Sequence, residues 1–241
     1  TVSFGAQAYR LSASPTVTES SVTGLALLVY DLTEKEKAEK MRQEFTANVS
    51  HELKTPLAVM QNYASLLASP DLEEEKRVEY ARGISDASRR LAALITNILR
   101  LNKLENQQIV SEKTEFDLDE QIRACFLLLE KSWSDKNIEL DLELDDVKYT
   151  FNEEMLSHVW INLISNAIKF SHEGGKISCR LYREGDCAVC RIEDRGIGMD
   201  EETMSRIFEK FYQGDTSHAT QGNGLGLALV KRVMDILNGE I

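Results

Sequence analysis

From Met41 onward, apolar residues recur at every third or fourth position: Met41, Phe45, Val49, Leu53, Leu57, Met60, Ala64 and Leu67. That spacing aligns them in one stripe and predicts a helix over about 33–69. Thr33-Glu34-Lys35-Glu36 reads as a capping box at its start, and Ser69-Pro70 ends it. Pro56 predicts a kink, because proline removes a backbone donor from the ladder. A cleaner heptad, Ile84, Ala87, Leu91, Leu94, Ile98 and Leu101, predicts a second helix over about 71–106, with Asp71 and Glu74 at its cap. Two such helices across a short turn form an antiparallel hairpin. A lone hairpin has too little to bury, and pairing two hairpins in a four-helix bundle supplies the missing partner. A homodimer is therefore expected. An intramolecular bundle is the blander alternative, but no further long heptad helix follows.

The flanks have a different texture. Residues 1–30 hold two strand-like runs, AYRLSASP and VTGLALLVYD, too few for a stable domain. After about residue 114, FDLDEQIRACFLLLEKSW reads as a helix capped by Asp117 and Glu120, and IELDLEL alternates as a strand. EEMLSHVWINLISNAIKF carries a helical stripe of Met155, Val159, Leu163, Ile164, Ala167 and Ile168. KISCRLYREGDCAVCRIEDRG reads as a β-hairpin turning at Glu184-Gly185-Asp186. A glycine-rich tract and a last helix, LGLALVKRVMDIL, follow. Helices on one face of a mixed sheet make an α/β sandwich.

The 241 residues carry a net charge of -12, which argues against a nucleic-acid surface or adsorption to anionic lipid. A nucleotide would still bind locally, through backbone N–H groups, a metal ion and one or two cations. The longest strongly apolar run, GLALLVY at 24–30, is far shorter than the ~20 residues a bilayer needs. Of the four cysteines, Cys187 and Cys190 form a C-x-x-C, but no second pair completes a zinc site, and free buried thiols are expected. The chain starts without methionine and stops abruptly at Ile241, so a piece of something longer is expected.

Three tracts carry candidate chemistry. In NLISNAIKF, Asn162, Asn166 and Lys169 share one helix face, where an amide oxygen can ligate Mg²⁺ and a lysine can hold phosphate. A solvated helix face would look the same. In DRGIGM, Asp194 ends a strand before G-x-G and can accept from an exocyclic amine such as that of adenine. In GNGLGL, Gly222, Gly224 and Gly226 lead into a helix N-terminus without a P-loop lysine. Phe208 and Phe211 lie between them and either cover a base or belong to the core. His51, in FTANVSHELKTPL, is by itself a packing residue, a metal ligand or a reactive group.

The order of these tracts resembles the sensor histidine kinases of two-component systems. FTANVSHELKTPL is similar to their H box, NLISNAIKF to the N box, DRGIGM and GNGLGL to the two G boxes, and IFEKFY to the F box. The resemblance covers about residues 31–241. Residues 1–32 resemble, more weakly, the closing strands of a PAS domain. It implies an α+β chain with four parts: PAS strands at 1–32, a dimerising phosphoacceptor hairpin at 33–106, a hinge at 107–113, and a C-terminally truncated ATP-binding domain of the histidine kinase/Hsp90-like type at 114–241. It further implies ATP-dependent autophosphorylation of His51, with Glu52 as the orienting base. Phosphoryl transfer to a response regulator would follow, with Thr55 serving dephosphorylation. Asn166 would bind Mg²⁺, and Asn162 and Lys169 would lie near the phosphates. Asp194, Gly196 and Gly198 would line the base pocket, with Phe208 and Phe211 beside it. Gly222, Gly224, Leu225 and Gly226 would belong to the phosphate-contacting lid. The fragment would be the cytoplasmic portion of a membrane sensor, without direct membrane contact of its own. Asn223 stands where the family often has Thr, and Gln213 where it often has Arg, which puts a lid contact in question.

Two other classes compete. A chaperone- or topoisomerase-type ATPase would need a catalytic Glu on the Asn-bearing helix, where Asn162 stands, and leaves the His hairpin unexplained. A non-catalytic scaffold would not need His51, Glu52 and Asn166 together.

Overall fold

The computed structural model describes residues 2–4, 7–18, 21–105, 112–214 and 222–241. They group into two compact units, Thr1–Thr55 and Pro56–Ile241.

In the first unit, β1 (Val2–Phe4), β2 (Gln7–Thr18) and β3 (Ser21–Asp31) form an antiparallel meander in that order. This is one strand more than the sequence predicts, since three residues are too few to show alternation. Helix α1 (Thr33–Leu67) follows after one residue. Thr33 does not serve as its cap. Its hydroxyl accepts from the Ala8 amide at 3.1 Å, while Asp31 accepts from the Thr33 amide at 2.9 Å. The Ala8 bond ties the helix start to β2, and hydrogen bonding from the Thr33 side chain and then its amide holds the Asp31 carboxyl below its ordinary range.

Helix α1 runs without interruption through Pro56 and contains no buried residue. In the second unit, α2 (Glu74–Glu105) starts three residues later than the Asp71 expectation, with Arg77 N–H donating to the Glu73 carbonyl. Tyr63 stacks on Tyr80 at 5.4 Å between ring centroids, and a Cβ on Gly83 would sit 2.3 Å from the Tyr63 ring. The hairpin therefore closes tightly at a glycine. Every second member of the α2 heptad (Ala87, Leu94, Leu101) is buried, while Leu57, Leu66, Val78, Ile95 and Leu99 stay exposed. Exposed apolar side chains thus remain on both helices, surface that a second hairpin would cover.

The remainder is the sandwich. β4 (Thr114–Asp117) pairs antiparallel with β6 (Lys148–Phe151). β5 (Glu139–Leu144) pairs parallel with β7 (Lys176–Glu184), which pairs antiparallel with β8 (Cys187–Asp194) across the expected turn. Helices α3 (Leu118–Leu128), α4 (Glu130–Ser134), α5 (Glu153–Phe170), α6 (Glu201–Arg206) and α7 (Gly226–Leu237) complete it. The core gathers Ile122 and Phe126 of α3, Val159 and Ile164 of α5, Ile177, Cys179 and Leu181 of β7, and Val230 of α7. Each such aliphatic or phenyl side chain contributes about 1.5–3 kcal/mol on burial. Asp117 is the N-cap residue of α3 but makes no side-chain cap; its carboxylate pairs instead with Lys148 at 3.0 Å, across β4 and β6. The cysteines are free, as expected, though Cys187 is exposed and Cys179 lies 3.8 Å from Cys190 across β7 and β8. Among the described residues, no helix is long and apolar enough to cross a membrane. The expected hinge lies largely outside the described residues, as does the stretch 215–221 before the second glycine tract.

Candidate active site

Helix α5 is the axis of the site. Asn152 caps it, accepting from the Met155 amide at 2.8 Å, and its apolar stripe is pinned in the core. That fixes the other face, which carries Asn162, Asn166 and Lys169, all half-buried. The Asn162 amide donates to the His158 carbonyl at 2.8 Å, which turns its Oδ1 toward the start of α7. A Cβ on Gly226 would lie 2.6 Å from that Oδ1, so α7 approaches α5 closely at this glycine.

The second glycine tract closes on the same helix. A Cβ on Gly222 would lie 2.8 Å from the Lys169 ammonium. Gly224 adopts φ +63, and a Cβ there would lie 2.5 Å from the Phe211 backbone. Phe211, itself at φ +65, donates its amide to the Gly224 carbonyl at 2.8 Å. The aromatic segment thus docks on the glycine tract through main chain, an arrangement the sequence alone does not suggest. Leu225 is fully buried and anchors the tract. Asn223 Oδ1 accepts from the Leu225 amide at 3.2 Å, and the Gln213 amide donates to the Gly222 carbonyl at 3.2 Å. The two departures from the family pattern therefore each make a local contact. The amides opening α7 have no side-chain cap, which leaves the positive end of a 12-residue helix beside Asn162.

The first glycine tract reaches the far end of α5. The Ile197 amide donates to the Phe170 carbonyl at 3.2 Å, and Ser171 bridges Gly196. A Cβ on Gly196 would lie 2.1 Å from the Phe170 carbonyl oxygen. Gly198 sits at φ +69 with open space around it. Asp194 is exposed at the end of β8, and Phe208 is half-buried just after α6. Burial lowers the Lys169 ammonium below the ordinary lysine range. An anion placed beside it would reverse that cost. The Asn166 side chain has no hydrogen-bond partner among the described residues, and its amide oxygen suits a hard cation that draws its other ligands from phosphate and water. Among the described residues, no cluster of His, Cys, Asp and Glu could hold a metal by itself.

In the other unit, His51 is exposed on α1, with Nδ1 3.6 Å from Glu52 Oε1, slightly longer than a hydrogen bond. Thr55 donates its hydroxyl to the His51 carbonyl at 3.3 Å.

The described residues thus comprise a helical hairpin bearing an exposed histidine and a sandwich whose glycine tracts converge on one Asn-bearing helix. Residues 41–107 match the His Kinase A (phospho-acceptor) domain, and residues 151–241 match the histidine kinase-, DNA gyrase B- and HSP90-like ATPase family. Drug sensory protein A of Synechocystis sp. is 33% identical over 229 residues, covering 89% of this chain and 34% of that protein. The circadian input-output histidine kinase CikA of Synechococcus elongatus is 35% identical over 213 residues, covering 85% of this chain and 28% of that protein. The solved structure of histidine kinase ThkA in complex with response regulator protein TrrA is 26% identical, with a TM-score of 0.60, and covers 88% of this chain and 66% of that one. The chain belongs to the sensor histidine kinases of two-component systems. It spans roughly a third of the length of these two curated relatives.

Proposed function

We propose that this chain is the ATP-dependent protein-histidine kinase segment of a two-component sensor. The observation that carries this reading is the convergence of Asn162, Lys169 and both glycine tracts on α5, in a chain that also presents His51 in the open beside Glu52. His51 Nε2 attacks the γ-phosphorus of ATP with its lone pair. The bond to the oxygen bridging to the β-phosphate breaks, and ADP leaves with that electron pair. Glu52 faces Nδ1, fixes the tautomer and takes the Nδ1 proton as the ring becomes positive. Mg²⁺ bound through Asn166 supplies charge neutralisation on the phosphates.

His51 and the nucleotide cradle belong to different compact units, so the γ-phosphate has to be brought in line with the imidazole. The segment 107–113 is the hinge in this reading, and Pro56 lets α1 bend below His51. The phosphoryl group then passes to an aspartate on a response regulator, and Thr55 serves the reverse, phosphatase direction. The hairpin, whose exposed apolar side chains include Ile95 and Leu99, pairs with a second copy in a homodimer. Residues 1–32 close a PAS domain, and the piece lies on the cytoplasmic side of a membrane sensor; both follow from family resemblance. The test is Mg²⁺-dependent ATP binding measured by titration. Asn166→Ala should abolish the Mg²⁺ dependence, and a variant that binds Mg²⁺–ATP as wild type does would remove Asn166 from the site.

A further inference from the structure

The last turn of a helix leaves four carbonyls without intrahelical partners. In α5 all four are accounted for. The Phe170 carbonyl accepts from the Ile197 amide in the first glycine tract. Those of Ile168 and Lys169 accept from the ammonium of Lys136 at 2.9 and 2.8 Å. That ammonium also donates to the Ser171 carbonyl at 3.1 Å. Three donors meet three acceptors, and a positive charge sits at the negative end of the helix dipole.

Lys136 is held from behind as well. It precedes Asn137, which turns the chain at φ +53 into β5, and its own carbonyl accepts from the Gly174 amide at 2.9 Å. One lysine therefore clamps both sides of the connection from α5 to β7. On that connection, Ser171 bridges Gly196 and Phe170 holds Ile197.

We infer that Lys136 is a positioning residue for the nucleotide site. It touches no nucleotide. It fixes the junction through which the phosphate side, on α5, and the base side, at Asp194 to Gly198, keep their relative placement. The inference rests on the nucleotide reading above. ATP must engage both sides at once, whereas adenosine engages only the base side. Loosening the junction should therefore weaken ATP selectively, because a misplacement of about 1 Å costs up to about a hundredfold in a site built for two-point contact. Loss of general stability would not separate the two ligands.

The experiment titrates the full chain with the non-hydrolysable analogue β,γ-imido-ATP plus Mg²⁺, and separately with adenosine, and records each variant's unfolding transition. Lys136→Met keeps the length but removes the charge and three donors. It should weaken the analogue about tenfold and adenosine by less than about threefold. Lys136→Arg keeps a charge but offers a rigid fork in place of three rotatable donors, and should fall between. Equal weakening of both ligands, no weakening, or an Arg variant no better than Met would overturn the inference. If Lys136→Met does not fold, the Arg variant decides by the same selectivity. If the wild-type chain itself binds neither ligand, the nucleotide reading falls and the inference with it.

Discussion

Replacing Gly196 by alanine tests the junction between the first glycine tract and α5 most sharply. The new methyl would start 2.1 Å from the Phe170 carbonyl oxygen and 2.6 Å from its carbon, both main chain. Ordinary contact requires the two segments to separate by roughly 1 Å. Neither side is a flexible side chain, so the strain cannot be relieved by a rotamer change. Overpacking of this kind costs about 1–3 kcal/mol. Separation also breaks the hydrogen bond from Ile197 to Phe170, worth about 1 kcal/mol net. The expected loss is about 2–4 kcal/mol, a fall of about 1 M or more in the urea midpoint. Gly198→Ala is the internal control. It meets nothing within 4 Å, but its φ of +69 penalises a Cβ. It should lose only about 1 kcal/mol, the cost of the left-handed region for alanine. Urea unfolding of both variants alongside wild type decides the matter. A Gly196→Ala chain within about 0.5 kcal/mol of wild type, or one no worse than Gly198→Ala, would refute the backbone-to-backbone junction.

Other outcomes follow from the same structure. Arg232 donates from Nε and Nη2 to the Leu104 carbonyl at 3.2 and 3.0 Å, capping the end of α2 from α7. Arg232→Met should raise amide exchange in the last turn of α2 about tenfold, since charged hydrogen bonds contribute about 1.5–3 kcal/mol; unchanged exchange would contradict it. Burial, followed by the nearby Arg100 charge, pushes the His158 imidazole below its ordinary 6.5. The unfolded chain therefore binds the proton more readily, and stability is lost as pH falls below 6.5 toward the lower folded value. Urea midpoints at acid and neutral pH should differ less in His158→Gln than in wild type, and parallel behaviour would count against it. Thr55→Ala should slow dephosphorylation of a response regulator while leaving labelling of His51 intact; a loss of both activities would rule out a role confined to the reverse reaction.

The long amphipathic helices were legible because their heptads extend over many turns, and α1 and α2 end within a few residues of the expected limits. β4 and β6 were not, since TEFD and KYTF are each four residues long and show no period. Asp117 looks like a helix cap in sequence, and its pairing with Lys148 across 31 positions is invisible there. The glycine tracts were legible as places of close approach, but what approaches them was not. Gly196 needs the Phe170 carbonyl beside it and Gly226 needs Asn162 Oδ1, and both are tertiary contacts. Lys136 reads in sequence as a solvated charge before a strand, yet its ammonium takes three carbonyls from more than 30 residues away.

The central claim is that His51 receives the γ-phosphoryl group of ATP. Incubation with γ-labelled ATP and Mg²⁺, followed by acid and alkali treatment, measures it directly. Label should appear on the wild-type chain, be lost in acid, survive alkali, and be absent from His51→Gln. Label that withstands acid, or that remains on His51→Gln, would contradict the account.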